Sequence, residues 1–329
     1  MYNVGIDVGS KELVMVIRHN GKNHKAKMFT NTHDGHAKIV KTLVAKKGDL
    51  KVCLEATGIY HFDLAVALSY ANLTLMVVNP KASKHYFEAL MTRSKTDQID
   101  AGVLAQYAET MPFKVWNVPN DKTLQLRAFS RKILALTKLK AQTKNQLHAL
   151  ESSSSVPEVI MDETHESITF FENQIKRLKD HALTLINSDT KLQHSLEIIT
   201  SIKGIADTSA IQLLGELLIL PSDMNNRQWV AFAGLDPRHH QSGTSIAKKP
   251  RISKAGNAYL RQALYMPALC AAHHDLYVKA YYLHLIEDQG LKKMQALCAV
   301  MRKLLHAIHA MLKNETCFDN TRFYNIAML

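Results

Sequence analysis

Apolar positions in this chain come first in short bursts of strand length and later in long stripes of helical period. Residues 3–8 (NVGIDV) and 12–18 (ELVMVIR) are two runs rich in β-branched residues, joined by Gly9 and Ser10. Residues 23–30 supply a candidate third strand, so the amino end is expected to open as an antiparallel meander. Beyond residue 32 the pattern alternates. A helical stretch near 33–46 leads to KVCLEA (51–56), a second helical stretch near 60–71 and the apolar run LTLMVV (73–78). Strand–helix–strand units added to a hairpin predict a mixed sheet of α/β type.

From Pro119 the period becomes that of a long helix. Leu126, Phe129, Ile133, Leu136, Lys140, Thr143, Leu147 and Leu150 follow alternating steps of three and four, a heptad seam with two polar positions. After the break Ser152–Pro157, Ile168, Phe171, Ile175, Leu178, Ala182 and Leu185 form a matching stripe, which predicts an antiparallel helical hairpin. Its seam suits packing of the two helices on each other and equally a self-association arm. From about residue 196 the chain is compact and helical again, through SIKGIADTSAIQLLGEL, NRQWVAFAGL, a basic loop and helices near 254–273 and 290–312. Three regions are expected: residues 1–115, a helical spacer at 116–195, and a mostly helical region at 196–329.

With 329 residues, 47% of them hydrophobic, the chain can bury a substantial core. Lysine and arginine number 41 against 29 acids, a formal charge of +12 that favours a polyanionic partner, nucleic acid before others. The amino end has no basic stretch leading into an apolar signal core, and no segment stays apolar for the roughly 20 residues a bilayer crossing needs. The best candidate, Tyr259 to Ala272, is interrupted by Arg261 and Gln262, so a soluble cytoplasmic protein with no membrane partner is expected. Cys53, Cys270, Cys298 and Cys317 are scattered without a CxxC pair, which suits reduced thiols rather than a disulfide framework or a zinc site.

The chemistry is expected from acids. Asp7 lies near the end of the first strand and Glu55 near the end of the run 51–56, while Asp97 and Asp100 are three apart on one face of a candidate helix. Carboxylates from two strands and a helix can meet at one sheet edge, where oxygen ligands hold Mg²⁺ for attack at a phosphodiester. Strand-end and helix-start acids also occur for purely structural reasons, because an acid suits the helix dipole. The wording around each acid, GIDVGSK, LEATGIY and RSKTDQIDA, resembles the DEDD transposases of bacterial insertion sequences, the family of Piv-type DNA invertases and bridge-RNA-guided recombinases. The resemblance runs through nearly the whole chain.

It implies an RNase H-like, RuvC-like first domain in which Asp7, Glu55, Asp97 and Asp100 bind Mg²⁺, or Mn²⁺ in its place. It also implies a helical coiled-coil hairpin and a C-terminal transposase domain. In that last domain an SG serine, matching Ser242, attacks DNA to give a phosphoserine intermediate; Ser245 is the nearby alternative. A dimer or tetramer, double-stranded DNA at element ends and target, and a noncoding guide RNA are implied as partners. In such assemblies the metal domain of one subunit can meet the serine domain of another.

Around Ser242 the segment GLDPRHHQSGTSIAKKPRISKAGNAYLRQAL carries Arg238, Lys248, Lys249, Arg251, Lys254 and Arg261, read as a largely non-helical, phosphate-facing loop. Lys11 and Lys95 stand near the acids, either on phosphate or simply solvated. His239, His240, His273 and His274 lack partners at metal-ligand spacing and read as solvated or DNA-facing. Residues 202–206 (IKGIA) resemble a helix-hairpin-helix turn, with Ala206 where a second glycine is usual; phosphate binding and plain helix packing both remain open. Two other classes compete. GIDVGS also resembles the phosphate hairpin of actin-like or sugar-kinase-like ATPases, which need a second nucleotide-binding half. A non-catalytic basic scaffold would explain the heptads but not the four placed acids.

Overall fold

A computed structural model of the chain describes residues 1–326 apart from 57, 59, 92, 93, 95 and 243–245, and describes only the backbone of residues 239–242 and 246–250. Its contacts divide the chain into two compact units, Met1–Val118 and Pro119–Leu329.

In the first unit β1 (Tyr2–Val8), β2 (Glu12–His19), β3 (Lys22–Asn23) and β4 (Lys27–Thr30) precede α1 (His33–Val44), β5 (Leu50–Glu55), α2 (Phe62–Tyr70), β6 (Thr74–Val78), α3 (Pro80–Ala89) and α4 (Asp97–Thr110). The sheet order is β3-β2-β1-β5-β6, with β4 also on β2. β1 is antiparallel to β2 and parallel to β5, and β5 is parallel to β6. Strands covered on both faces read as near-continuous apolar runs, and these do. Val4, Ile6, Val8, Val52, Leu54 and Leu75 pack with Ile39, Leu43, Leu64 and Leu68 of α1 and α2, whereas Cys53, Met76 and Val78 pack with Leu104 and Ala108 of α4. The β2–β3 turn uses Asn20 and Gly21, both at positive φ, as a tight hairpin with the native twist requires. This is the RNase H-like mixed sheet expected from the sequence. Helix α3, for which the apolar pattern gave no signal, is started by Asn79, whose side chain accepts from the Lys81 amide (2.8 Å), and by Pro80 in the first turn.

In the second unit α5 (Asp121–Glu151) and α6 (Glu158–Asn187) form the hairpin, followed by α7 (Thr190–Thr200), α8 (Asp207–Leu217) and α9 (Asn226–Ala233). A ribbon of β7 (Pro237–Ser242) and β8 (Ile246–Ile252) leads to α10 (Ala258–His274), α11 (Leu276–Glu287) and α12 (Lys293–Asn314). All the heptad positions are buried or half-buried. Cross-helix pairs run in opposite directions: Lys122 Nζ donates to Ser188 O (2.8 Å), the Phe129 and His181 rings stack, and Lys140 and Lys144 reach Glu172 at 3.6 and 3.2 Å.

The base of the hairpin joins the unit's main core through Leu126, Ile133, Ala182 and Ile186. There Glu216, fully buried on α8, accepts from Arg131 at 2.7 and 3.1 Å and from Asn257 Nδ2 at 2.6 Å, with Arg127 at 3.5 Å. A buried carboxylate is tolerated only when paired in this way.

Two expectations change here. The basic segment read as a loop is a two-stranded ribbon; its strands carry no apolar alternation, so periodicity could not reveal it. A register shift between Arg238 and His240 gives Pro250, which has no amide hydrogen, a bulge to occupy. Helix α11 is an addition to the two helices expected there. Asp275, buried, starts it by accepting from the amides of Tyr277 and Val278, both at 3.0 Å. The second, nucleotide-binding half that an actin-like ATPase needs is not found among the described residues of this unit, which hold only the two-stranded β7–β8 sheet. No helix among the described residues is long and apolar enough to cross a membrane.

Candidate active site

The parallel register between β1 and β5 ends at Ile6 opposite Leu54, so Asp7 and Glu55 follow one step later on neighbouring strands. Side chains alternate along a strand, and both acids take the parity of Gly5 and Cys53, which is the α4 side of the sheet. Gly5 brings that helix close. A methyl at Gly5 would overlap the Ala101 carbonyl and the Ala105 amide, so only glycine lets α4 lie against β1 two residues before Asp7. Ala101, Ala105 and Ala108, all fully buried, keep the rest of that helix face thin.

Thr96 caps α4 by accepting from the Ile99 amide (3.3 Å), and Asp97 and Asp100 occupy the first turn. The helix start thereby delivers two carboxylates to the sheet edge. The electrostatics put the charges of the other three at Asp7. The Asp7 carboxyl is pushed up to about 6, first by burial and then by the charges of Asp100, Asp97 and Glu55, against a hydrogen bond from the Val8 amide. Asp100, Asp97 and Glu55 therefore all act on Asp7.

Among the described residues no three acidic, histidine or cysteine side chains are already drawn tightly enough to enclose one ion. The donor set itself, four carboxylates and no thiolate, has the hard-oxygen chemistry of a Mg²⁺ or Mn²⁺ site, and the mutual repulsion at Asp7 is what a divalent cation would relieve. The residues fit the metal.

Two supports were not legible in sequence. Ser83 on α3, buried, donates its hydroxyl to Glu55 Oε2 at 2.6 Å and so fixes the rotamer of that carboxylate. Asn31 ties together the turn after β1 and the chain after β5: its Nδ2 donates to Gly9 O (2.9 Å) and Tyr60 O (3.1 Å), and its amide donates to Lys11 O (2.8 Å). Buried His36 donates from Nε2 to Asn31 Oδ1 (2.7 Å), which orients the amide for both bonds. Both supports join residues distant in the chain, so no local pattern announces them.

The remaining candidates are placed as follows. Ser242 ends β7, its backbone paired with Ile246 at the last rung of the ribbon; its hydroxyl lies outside the described residues, as do Gly243, Ser245, Thr57 and Lys95 and the side chains of Lys248, Lys249, His239 and His240. Arg238 and Arg251 are exposed and stand directly opposite each other across β7 and β8, a like-charged pair that disfavours the bare ribbon and favours an anion. Lys254 is exposed at a positive φ just past β8.

Arg261 spends one nitrogen on the carbonyls of Ala233 (2.8 Å) and Gly256 (3.2 Å), bracing the ends of the ribbon. Lys11 is exposed. His273 and His274 are exposed neighbours with ring centroids 6.3 Å apart, not a chelate. The turn at Gly204 packs on α10, where a methyl would come within 2.7 Å of the Cys270 Cβ, and the flanking Ile202 and Ile205 are buried. Helix packing accounts for that turn.

Comparison with known proteins adds the following. A family model described as a transposase matches residues 4–151, and one described as the transposase IS116/IS110/IS902 family matches residues 196–283. The pilin gene-inverting protein of Moraxella bovis is 29% identical over 321 residues, spanning 96% of this chain and 97% of its own. That of Moraxella lacunata is 28% identical over the same length. The insertion element IS110 uncharacterized 43.6 kDa protein of Streptomyces coelicolor is 24% identical over 164 residues, half of this chain and 39% of its own. Among solved structures, Thermus thermophilus RuvC aligns over 35% of this chain and all of its own, at 16% identity and a TM-score of 0.28.

Proposed function

Because this chain belongs to the IS110-type family of DEDD insertion-sequence transposases, and is therefore a DNA recombinase, we propose that it breaks and rejoins DNA with a serine nucleophile beside a divalent-metal site. The observation that carries the metal half is the raised Asp7 carboxyl, with Asp100, Asp97 and Glu55 as its charged neighbours. Asp7, Glu55, Asp97 and Asp100 hold the metal. Bound there, Mg²⁺ or Mn²⁺ supplies positive charge against the phosphate that gains negative charge in the transition state.

Ser83 holds the Glu55 carboxylate in place, and the Asn31–His36 pair keeps the loops beyond both strands at fixed separation. The Ser242 hydroxyl attacks phosphorus: a serine oxygen–phosphorus bond forms, a phosphorus–sugar oxygen bond breaks, and the serine proton ends on the departing sugar oxygen. Attack by a new sugar hydroxyl reverses these steps and rejoins the strand. Arg238, Lys248, Lys249, Arg251, Lys254 and Arg261 hold the backbone near the serine; the opposed Arg238 and Arg251 support this.

The reading extends to insertion-sequence excision and integration, or to inversion as the name of the Moraxella relatives suggests. A noncoding RNA of the element chooses the DNA, for which a charge of +12 is suitable. The working form is a dimer or tetramer, and Leu139 and Phe170, exposed on the hairpin, support its role as the association arm. The test is strand exchange between cognate DNA ends in the presence of the element RNA. Asp7→Asn and Ser242→Ala are each expected to lose at least about 100-fold in rate, the scale of removing a key transition-state contact. Exchange at the parental rate by either variant removes that residue from the mechanism.

A further inference from the structure

Besides the acidic edge, the first unit holds a cavity of about 480 Å³ between α1 and α2, with Ser10, Asn31, His33, His36, Tyr60 and Asp63 in its lining. Two helical stripes build it. His33 and His36 lie one turn apart at the start of α1, and Asp63, Val66, Ala67 and Tyr70 are spaced as one face of α2, whose other face buries Leu64, Ala65 and Leu68. Asn31, held by His36, bonds Gly9 O (2.9 Å) and Tyr60 O (3.1 Å) and so ties the loops beyond β1 and β5 into one wall. The cavity therefore stands at the same sheet edge as the acids, on the face of α1 and α2 instead of that of α4. Ser10 is three residues from Asp7, which puts their Cα atoms at most about 11 Å apart.

The lining selects the ligand. In a chain of net charge +12, the described residues of this cavity include no lysine or arginine, and Asp63 adds a negative charge, so a phosphate is disfavoured. His36 is 6% exposed and commits its Nε2 proton to Asn31 Oδ1 at 2.7 Å. Burial holds its ring below the ordinary histidine range, and the neutral ring keeps Nδ1 as a lone-pair acceptor with no partner among the described residues. Two exposed rings complete the lining, Tyr60 at 47% and Tyr70 at 69% exposure. A flat, uncharged group that donates N–H bonds and stacks on an aromatic ring matches this set. A nucleobase has all of these properties, and DNA presents one whenever a base leaves its stack.

We propose that this cavity receives a nucleobase turned out of the DNA strand whose phosphodiester is handled at the four acids. Stacked on Tyr60 and bonded through its N–H groups to His36 Nδ1 and the Asp63 carboxylate, the base anchors the strand across the sheet edge. It thereby helps to fix which phosphate comes to the acids. At 3.4 Å of rise per nucleotide, the bound of about 11 Å corresponds to about three nucleotides between the captured base and that phosphate. The position of the base along the strand rests on the acid-site reading; its capture rests on the cavity alone.

The test is equilibrium binding of labelled element-end DNA by the full-length protein with the element RNA present, using DNAs in which one base at a time is removed to leave an abasic sugar. One abasic position, within about three nucleotides of the phosphate that the parent cleaves in Mg²⁺, is expected to weaken binding about tenfold, the scale of one lost base–aromatic stack. Tyr60→Ala, at an exposed side chain, should weaken binding of the intact DNA by about the same factor, and Tyr60→Phe, which keeps the ring, should not. On DNA abasic at that position, Tyr60→Ala and the parent should bind alike. Parental affinity in Tyr60→Ala, a loss that persists at every abasic position, or a coupled base far from the cleaved phosphate overturns the proposal. Asp7→Asn should keep the coupling while losing cleavage, so failure of the acid site and failure of the cavity give different results.

Discussion

Asp7 is the residue on which the proposed chemistry of the first unit turns, and its environment makes a prediction about pH. Its carboxyl titrates at about 6 in the folded metal-free protein against 3.8 in the unfolded chain, so folding favours the protonated form. That contribution to stability is complete below about pH 4 and is lost as the pH rises through about 6. Thermal melting of metal-free protein should show stability falling across this window, and Asp7→Asn, which cannot ionise, should reduce the fall. An equal fall in both proteins would show that Asp7 is not in the crowded acidic setting described. At this scale the acids were readable because each sits in a distinctive local phrase, GIDVG, LEATG and KTDQIDA. Ser83 and the Asn31–His36 pair were not readable, since their value lies in partners 28, 22 and 29 residues away that only the fold brings near.

Among elements, the position of α4 decides whether two of the acids reach the other two. Its seat on β1 depends on the absence of a side chain at Gly5, where even a methyl meets backbone atoms of Ala101 and Ala105 that cannot rotate away. Gly5→Ala is therefore expected to cost about 2–3 kcal/mol in urea denaturation, the scale of overpacking in a closed core, and to weaken divalent-ion binding by shifting Asp97 and Asp100. A stability within about 0.5 kcal/mol of the parent, the range of a neutral surface change, would mean that α4 is not seated as described.

The strands and long helices were legible because burial on two faces or one stripe leaves a period in the sequence. The β7–β8 ribbon left none, its backbone pairing being carried by polar and basic residues, and α11 was hidden because its boundary is a single capping aspartate within a continuous helical pattern. Glu216 shows the same limit: one glutamate in an apolar helix became legible as a junction only when Arg127, Arg131 and Asn257 were seen around it.

For the molecule as a whole, the proposed reaction divides its requirements between the two units. The first gathers carboxylates at a sheet edge, and the second carries exposed arginines on a ribbon, with a helical arm joined to it by a shared core. The +12 charge suggested a polyanion, and the like-charged Arg238 and Arg251, opposite each other across the ribbon, are a pair that an anion would relieve. The central claim is that four acids from distant parts of the chain bind divalent metal together. Titration of Mn²⁺ into the protein, followed by the loss of the free ion's electron paramagnetic resonance signal, tests it most directly. Saturable binding by the parent at neutral pH, abolished in Asp7→Asn/Glu55→Gln/Asp97→Asn/Asp100→Asn with the fold intact, is the predicted result. Undiminished binding by that fourfold variant would contradict it.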